Sequence, residues 1–235
     1  MRTRVEQFWC DFFGLSPEEL RKPGGRVVAH RGLGDYPGAW IFWREDTIIL
    51  STPPELIADT DGLYRSAADR FREPASLAEL FAARTERVIG PAYQGFLDPD
   101  QFRPHLCPGT GLLPTQERLL DELRAACKAE EWLHAGIEPE RPEPCFGYYL
   151  DHKLIAVAQN AFWSDSAVSP GLIVHPGYRG RGYGKAVLTA AASDALQSGH
   201  LVLYQTLLSN ASAVRAAEAL GFTQFATHLA IRFRA

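Results

Sequence analysis

The sequence of 235 residues contains no apolar run long enough to cross a lipid bilayer, which takes about 20 residues. Residues 1–14 also lack the apolar segment and the small-residue cleavage site of a secretion signal. We therefore expect a cytoplasmic protein that has no membrane partner. The net charge is −4, so the positive excess of a dedicated nucleic-acid binder is missing. We expect no nucleic-acid partner either.

Cysteine is scarce as well. The four cysteines are far apart, and no two of them have the spacing of a zinc site or a redox pair; they are Cys10, Cys107, Cys127 and Cys145. We therefore expect free thiols in a reducing compartment, and no bound metal.

What the sequence does contain is a mixture of helical and strand patterns, which predicts the α+β class. A segment rich in proline and glycine, from Pro91 to Pro114, indicates a domain boundary, which we place near Arg103. Residues 1–102 then form a smaller N-terminal α/β domain, and residues 103–235 form the second domain.

The first domain shows structural patterns but no motif that carries chemistry. Residues 4–13 have the apolar spacing of a helix, and residues 44–46 are placed to turn a strand hairpin. The sequences that start at Ser16 and Ser76 are typical of capping boxes, so each predicts a helix start.

In the second domain, Thr115 is predicted to cap a helix, and residues 151–153 are predicted to turn a hairpin. Residues 227–233 alternate in polarity, which predicts an edge-like final strand.

The most informative motif is a glycine-rich loop between a predicted strand and a predicted helix. The apolar run 168–174 is typical of a buried strand, and 186–196 has helical spacing. A turn at the start of a helix points unpaired backbone N–H groups and the positive end of the helix dipole at one spot. We therefore predict a loop that binds a diphosphate, made of Arg179, Gly180, Arg181, Gly182, Tyr183, Gly184 and Lys185.

The spacing excludes two common phosphate loops. A Rossmann fingerprint would need glycine at Lys185, and a Walker A loop would need glycine at Arg179. A turn that needs glycine for packing alone stays open as an alternative. The pattern R-x-x-G-x-G at residues 179–184 resembles the coenzyme A diphosphate loop of the GNAT superfamily of N-acetyltransferases.

A second motif follows in the order that this superfamily shows. The apolar run 201–207 predicts a strand, Asn210 is placed to start a helix, and Gly221 is placed to end it within the sequence Leu-Gly-Phe. The resemblance covers residues 103–235 and implies a mixed central sheet flanked by helices. That residues 1–102 are a reduced copy of the same fold is a further hypothesis.

The resemblance implies an acetyl-CoA-dependent N-acetyltransferase that moves an acetyl group to an amine by direct attack on the thioester. It implies that the backbone N–H groups of Ile173 and Val174 polarise the thioester carbonyl, and that Asn210 contacts the pantetheine arm. The residues expected to bind acetyl-CoA are Ile173, Val174, Arg179, Gly180, Arg181, Gly182, Tyr183, Gly184, Lys185 and Asn210. The acceptor is expected to be the amine of a small molecule or a peptide, and a homodimer is left open.

The sequence departs from the family at the catalytic groups. Residues 168–171 offer no carboxylate, and Ala217 occupies the position where many members carry a tyrosine as general acid. The remaining candidates for a base are Glu130, Glu131, His134 and Asp165. We favour Glu131, because the short helix that carries it should border the acceptor site. The alternative function is a sensor or interaction module that binds acyl-CoA without catalysis.

Overall fold

A computed structural model describes residues 1–112, 117–138 and 140–234. The predicted helix cap at Thr115 lies outside these residues. By its internal contacts the chain divides into two compact units. Unit 1 contains Met1–Gly95, Gln205–Ala211 and Gln224–Ala235, and unit 2 contains Phe96–Tyr204 and Ser212–Thr223. The predicted domain boundary near Arg103 stays a prediction; unit 1 differs from the predicted first domain in that it includes the end of the chain.

The helices, in chain order, are α1 (Arg2–Phe13), α2 (Pro17–Arg21), α3 (Ile57–Ser66), α4 (Pro74–Leu80), α5 (Glu117–Ala126), α6 (Ala129–Ala135), α7 (Tyr183–Gln197) and α8 (Ala211–Ala219). The strands are β1 (Gly24–Ala29), β2 (Gly38–Arg44), β3 (Thr47–Thr52), β4 (Thr85–Leu97), β5 (Thr110–Leu112), β6 (Cys145–Leu150), β7 (Lys153–Ser164), β8 (Ala167–Val174), β9 (Leu201–Leu207) and β10 (Phe222–Phe233).

In unit 1 the strands follow the order β1-β3-β2-β10-β4. β1 and β3 pair in parallel, whereas β2 pairs antiparallel with both β3 and β10. The prediction of an edge-like final strand is therefore wrong, because β10 lies between β2 and β4. Alternating polarity reports that a strand has two different faces, and it carries no information about how many neighbours the strand has.

In unit 2 the strands follow the order β9-β8-β7-β6-β5. All pairs are antiparallel except β8 and β9, so this sheet is mixed, as predicted. Helices cover both faces: Val157 and Ile173 pack with α5 and α6, and the alternate residues Ala156 and Ala158 pack with α7. The predicted α+β class, with a mixed sheet between helices, is confirmed.

Several local predictions can be compared directly. The hairpin at residues 151–153 and the helix at residues 4–13 are confirmed, as is the capping box at Ser16, whose hydroxyl accepts from the N–H of Glu19. The capping box at Ser76 is wrong, because α4 begins two residues earlier at Pro74, where proline is preset for the first helical position. The predicted loop after Pro91 begins as strand, since β4 continues to Leu97.

A buried carboxylate connects the first helix of unit 1 to its sheet. Glu6 on α1 accepts hydrogen bonds from Arg21 at 2.6 Å and from Arg44 at 2.7 Å. Arg44 is itself buried, and its guanidinium lies over the ring of Phe225. The hydrogen bonds from the two arginines outweigh the effect of burial and lower the pKa of Glu6 to about 2.

We predict that Glu6→Gln lowers the free energy of unfolding by about 3 kcal/mol, because it leaves the charge of Arg44 buried without a counter-charge. Since the folded-state pKa is depressed, this stabilisation is present above the ordinary carboxyl pKa of 4.5 and is lost as the pH falls towards 2. Urea unfolding of the wild type and the variant, from pH 7 down to pH 3, measures both effects.

The matched control is Glu45→Gln, which removes a carboxylate that pairs with Arg2 on the exposed surface. Its free energy of unfolding should stay within about 0.5 kcal/mol of the wild type. Equal unfolding midpoints for the two variants at pH 7 would contradict the account of Glu6.

Candidate functional site

The glycine-rich loop (residues 179–185) follows β8 and continues into the first turn of α7, which contains residues 183–185. A short 3-10 turn at Pro176–Tyr178 ends β8, and α7 begins at Tyr183 with Gly182 as its N-cap. Gly180 and Gly182 have φ angles of 77° and 91°, which residues other than glycine rarely adopt. The loop therefore ends at the N-terminus of a helix, where the first N–H groups have no partner within the helix.

Gly184 serves a different purpose. A Cβ atom at this position would lie 3.2 Å from Cγ2 of Val174 and 3.5 Å from Cδ1 of Leu172. Glycine thus lets the first turn of α7 pack tightly against β8. The need for glycine in packing, which was left open as an alternative, accounts for Gly184. It does not account for Gly180, where a Cβ atom would meet no other atom within 4 Å.

β8 separates from its parallel neighbour soon after it begins. The ladder with β9 pairs Ala167 with Leu201 and Val168 with Val202. Pairing with β7, in contrast, continues to the end of β8, where Val174 lies opposite Ala156. On the side away from β7, the C-terminal half of β8 therefore has a backbone edge outside this ladder.

The register of β8 and β7 shows which N–H group lies on this edge. The N–H of His175 donates to the carbonyl of Ile155 at 2.8 Å. In an antiparallel ladder every second N–H group of a strand bonds to the same neighbour, so the N–H of Ile173 points to the carbonyl of Val157. The N–H and carbonyl of Val174 point to the opposite side. Of the two N–H groups predicted to polarise a thioester, that of Val174 has the matching orientation.

Arg179 of the glycine-rich loop contacts the end of β8 and helix α6. Its Nε–H donates to the carbonyl oxygen of Val174 at 3.1 Å. Its two terminal nitrogens donate to the two carboxylate oxygens of Glu131, at 2.8 and 3.0 Å. The thiol of Cys127 also lies beside the guanidinium, and burial raises the pKa of this thiol. Arg179 is therefore held in place by contacts within unit 2.

Both carboxylate oxygens of Glu131 accept hydrogen bonds from the protein itself. Besides the two bonds from Arg179, it accepts from the N–H of Lys128 at 3.2 Å, which caps the start of α6. The hydrogen bonds from Arg179 lower the pKa of Glu131 and raise that of Arg179. A carboxylate of lowered pKa whose oxygens are both engaged is poorly suited to accept a proton, so this geometry does not favour the predicted base.

The other predicted candidates have different positions. Asp165 precedes the first residue of β8, which lies about 23 Å from Val174 at the strand rise of about 3.3 Å per residue. Asp165 therefore lies at the opposite end of β8 from Val174. Glu130 and His134 lie on the exposed part of α6, and Ala217 is fully buried in α8.

Tyr183 and Asn210, which are predicted to contact acetyl-CoA, both make contacts within the protein. The ring of Tyr183 stacks on Tyr148 at 4.4 Å between centroids, so the part of Tyr183 available to an anion is its backbone N–H. Asn210 directly precedes α8, as predicted, and its N–H donates to the carbonyl of Leu207. Asn210 belongs to unit 1, and its contact with the pantetheine arm stays a prediction.

The structure also places a residue at the loop that no motif indicated. Nε2 of His105 lies 3.0 Å from the position that a Cβ atom would take at Gly182. Within the described ranges, no three side chains are grouped so that they could hold a metal ion. In the same part of the chain, no helix has the length and apolarity needed to cross a bilayer.

Comparison with known proteins agrees with this geometry. The family model described as Acetyltransferase (GNAT) family matches residues 114–222. No curated protein matches the chain. A GNAT-family acetyltransferase from Colwellia psychrerythraea has 22% identity and a TM-score of 0.52, with 67% of this chain and 61% of that chain covered. A GCN5-related N-acetyltransferase from Kribbella flavida has 17% identity and a TM-score of 0.50, with 68% and 64% covered.

This chain therefore spans less than two thirds of the length of those two proteins. A GCN5-related N-acetyltransferase-like protein from Streptococcus suis aligns over 99% of both chains, with 12% identity and a TM-score of 0.52. At these identities the structural similarity establishes a shared fold. The family match covers the strand, loop and helix of the site and identifies residues 114–222 as a domain of the acetyltransferase (GNAT) family.

Proposed function

We propose that the protein is an acetyl-CoA-dependent N-acetyltransferase in which an amine attacks the thioester directly. The observation that carries this proposal is the geometry at the end of β8. There the N–H and carbonyl of Val174 point away from β7, and the glycine-rich loop continues directly into the N-terminus of α7. A thioester carbonyl needs an N–H donor such as that of Val174, and a diphosphate needs N–H donors such as those at the N-terminus of a helix.

The residues present fit acetyl-CoA in their charge and shape. Gly180 and Gly182 give the backbone the left-handed turn that lets an anion approach it, and Arg181 is exposed beside them. Lys185 follows in the first turn of α7. We assign the diphosphate to this loop, with Arg181 and Lys185 as its charged partners and Arg179 as the residue that fixes the loop to β8.

Acetyl-CoA would supply the acetyl group as a thioester. The amine nitrogen bonds to the carbonyl carbon, the carbon–sulfur bond breaks, and CoA leaves as a thiolate that takes up the proton lost by the amine. The N–H of Val174 is placed to donate to the carbonyl oxygen as negative charge develops there. In place of the predicted base, we assign Glu131 a positioning role, because it orients Arg179 and thereby the carbonyl of Val174. The proton passes from the amine to the thiolate through water.

A binding module without catalysis is the second candidate. It is favoured by Ala217 at the usual acid position and by the engagement of Glu131 with Arg179. The two candidates share the cofactor site and differ only in turnover.

The first prediction separates these candidates. Incubation with acetyl-CoA and a panel of amines should release free CoA in an amine-dependent way, measured with a thiol reagent and confirmed by the mass of the acetylated product. The panel should contain a polyamine, an aminoglycoside, and peptides with a free N-terminus or a lysine. Calorimetric binding of acetyl-CoA without release of CoA for any of these amines would support the binding module and contradict the enzyme.

The second prediction concerns the charge of the glycine-rich loop. Arg181→Glu should weaken acetyl-CoA binding at least tenfold, equivalent to about 1.4 kcal/mol, because it places a carboxylate beside the diphosphate. The side chain of Arg181 is exposed and lies over the ring of Tyr178, so the fold should persist. Isothermal titration calorimetry measures the affinity. The same charge reversal at the exposed Arg72 of unit 1 is the control, and equal affinities of both variants would contradict the assignment.

The third prediction concerns Glu131. If Glu131 is a positioning residue, Glu131→Gln should lower kcat less than tenfold and raise the KM for acetyl-CoA. The shape of the pH profile should stay unchanged. Glu122→Gln on α5, which removes a carboxylate from an exposed pair with Arg118, is the control.

A general base gives a different result. Only about one alkylammonium in 2,500 is neutral at pH 7, so loss of the base should cost about 10²-fold in kcat, and the deficit should shrink as the pH rises towards 10. That outcome for Glu131→Gln would restore Glu131 as the base and contradict the positioning role.

A further inference from the structure

The segment 103–107 lies before the part of the chain that matches the family model, yet it packs directly on the helix of the proposed site. The N–H of Arg103 donates to the carbonyl of Leu220 at 2.9 Å. Two residues later, the N–H of His105 donates to Oγ1 of Thr189, a buried residue of α7, at 3.0 Å. The backbone on both sides of Pro104 is therefore fixed within unit 2.

This anchoring places the imidazole of His105 over the N-terminus of α7. Its Nε2 lies 3.0 Å from the position of a Cβ atom at Gly182, and its Cε1 lies 3.7 Å from that position. Gly182 is the N-cap of α7, so the ring stands beside the N–H groups that the helix leaves unpaired. The absence of a side chain at Gly182 is what leaves room for the ring.

The ring is half-exposed, and no hydrogen bond joins either of its nitrogens to another residue in the ranges 1–112, 117–138 and 140–234. An imidazole donates an N–H to an anion in its protonated form and in one of its neutral tautomers. Hydrogen bonds from such a donor to an ionised oxygen are among the stronger ones in proteins. The cationic side chain of Arg181 adjoins Gly182 in sequence, so the surroundings are suited to an anion.

We infer that His105 is a further binding residue for the diphosphate of acetyl-CoA, donating from Nε2 beside the backbone of Gly182. This inference rests on the proposed function. It adds a contact from outside the strand, loop and helix of the family motif, and it gives the segment 103–107 a role in the site.

Calorimetric titration with acetyl-CoA of the wild type, His105→Ala and His105→Gln tests the inference. Both variants should bind about tenfold more weakly, equivalent to about 1.4 kcal/mol, with unfolding midpoints close to that of the wild type. His200→Ala is the control, because His200 follows the C-terminal end of α7 and packs on Phe162. It should bind as the wild type does.

A second ligand, 3′-dephospho-acetyl-CoA, identifies the phosphate group that is contacted. The tenfold loss should be the same for this ligand, since it keeps the diphosphate. A loss seen only with acetyl-CoA would move the contact to the 3′-phosphate and overturn the inference. Wild-type affinity in both His105 variants would also overturn it while leaving the proposed function intact, whereas a wild type that binds neither ligand would contradict the proposed function itself.

Discussion

The separation of β8 from β9 is the constraint on which the rest of the site depends. Two parallel strands that stayed paired would use the backbone groups at the end of β8 in their ladder. Within unit 2 the ladder pairs Ala167 with Leu201 and Val168 with Val202, so the N–H and carbonyl of Val174, which point away from β7, lie outside it. Leaving a buried backbone group without a partner costs about 1–3 kcal/mol, so such an edge is maintained only where something else pairs with it.

Part of that pairing comes from the chain itself. The carbonyl of Val174 accepts from Arg179, whose guanidinium is held in turn by Glu131 of α6. The guanidinium of Arg179 is thereby engaged in contacts within the protein, whereas we propose that the N–H of Val174 binds the thioester. The same division is seen in the glycine-rich loop, where Gly184 serves packing while Gly180 and Gly182 serve the left-handed turn. One short segment thus combines residues that stabilise the fold with residues that we propose bind acetyl-CoA.

The sequence was sufficient to predict the elements around the site, because each has a strong local pattern. The apolar run of β8, the glycines before α7 and the turn between β6 and β7 all depend on neighbouring residues. The partners of Glu131 could not be predicted, since Arg179 is 48 residues away and a carboxylate on a short helix has the same local pattern whether or not it is paired. His105 was missed for the same reason, as its place depends on bonds to Thr189 rather than on a motif. The interior position of β10 likewise follows from pairing with distant strands.

The most direct test of this account is a crystal structure of the protein with bound acetyl-CoA. The account predicts that the thioester carbonyl oxygen lies within hydrogen-bond distance of the Val174 N–H, and that the diphosphate lies at the N-terminus of α7 against Gly180 and Gly182. Arg179 should keep its bonds to Glu131 and to the carbonyl of Val174. A thioester bound away from the end of β8, or a diphosphate that does not contact the glycine-rich loop, would contradict it.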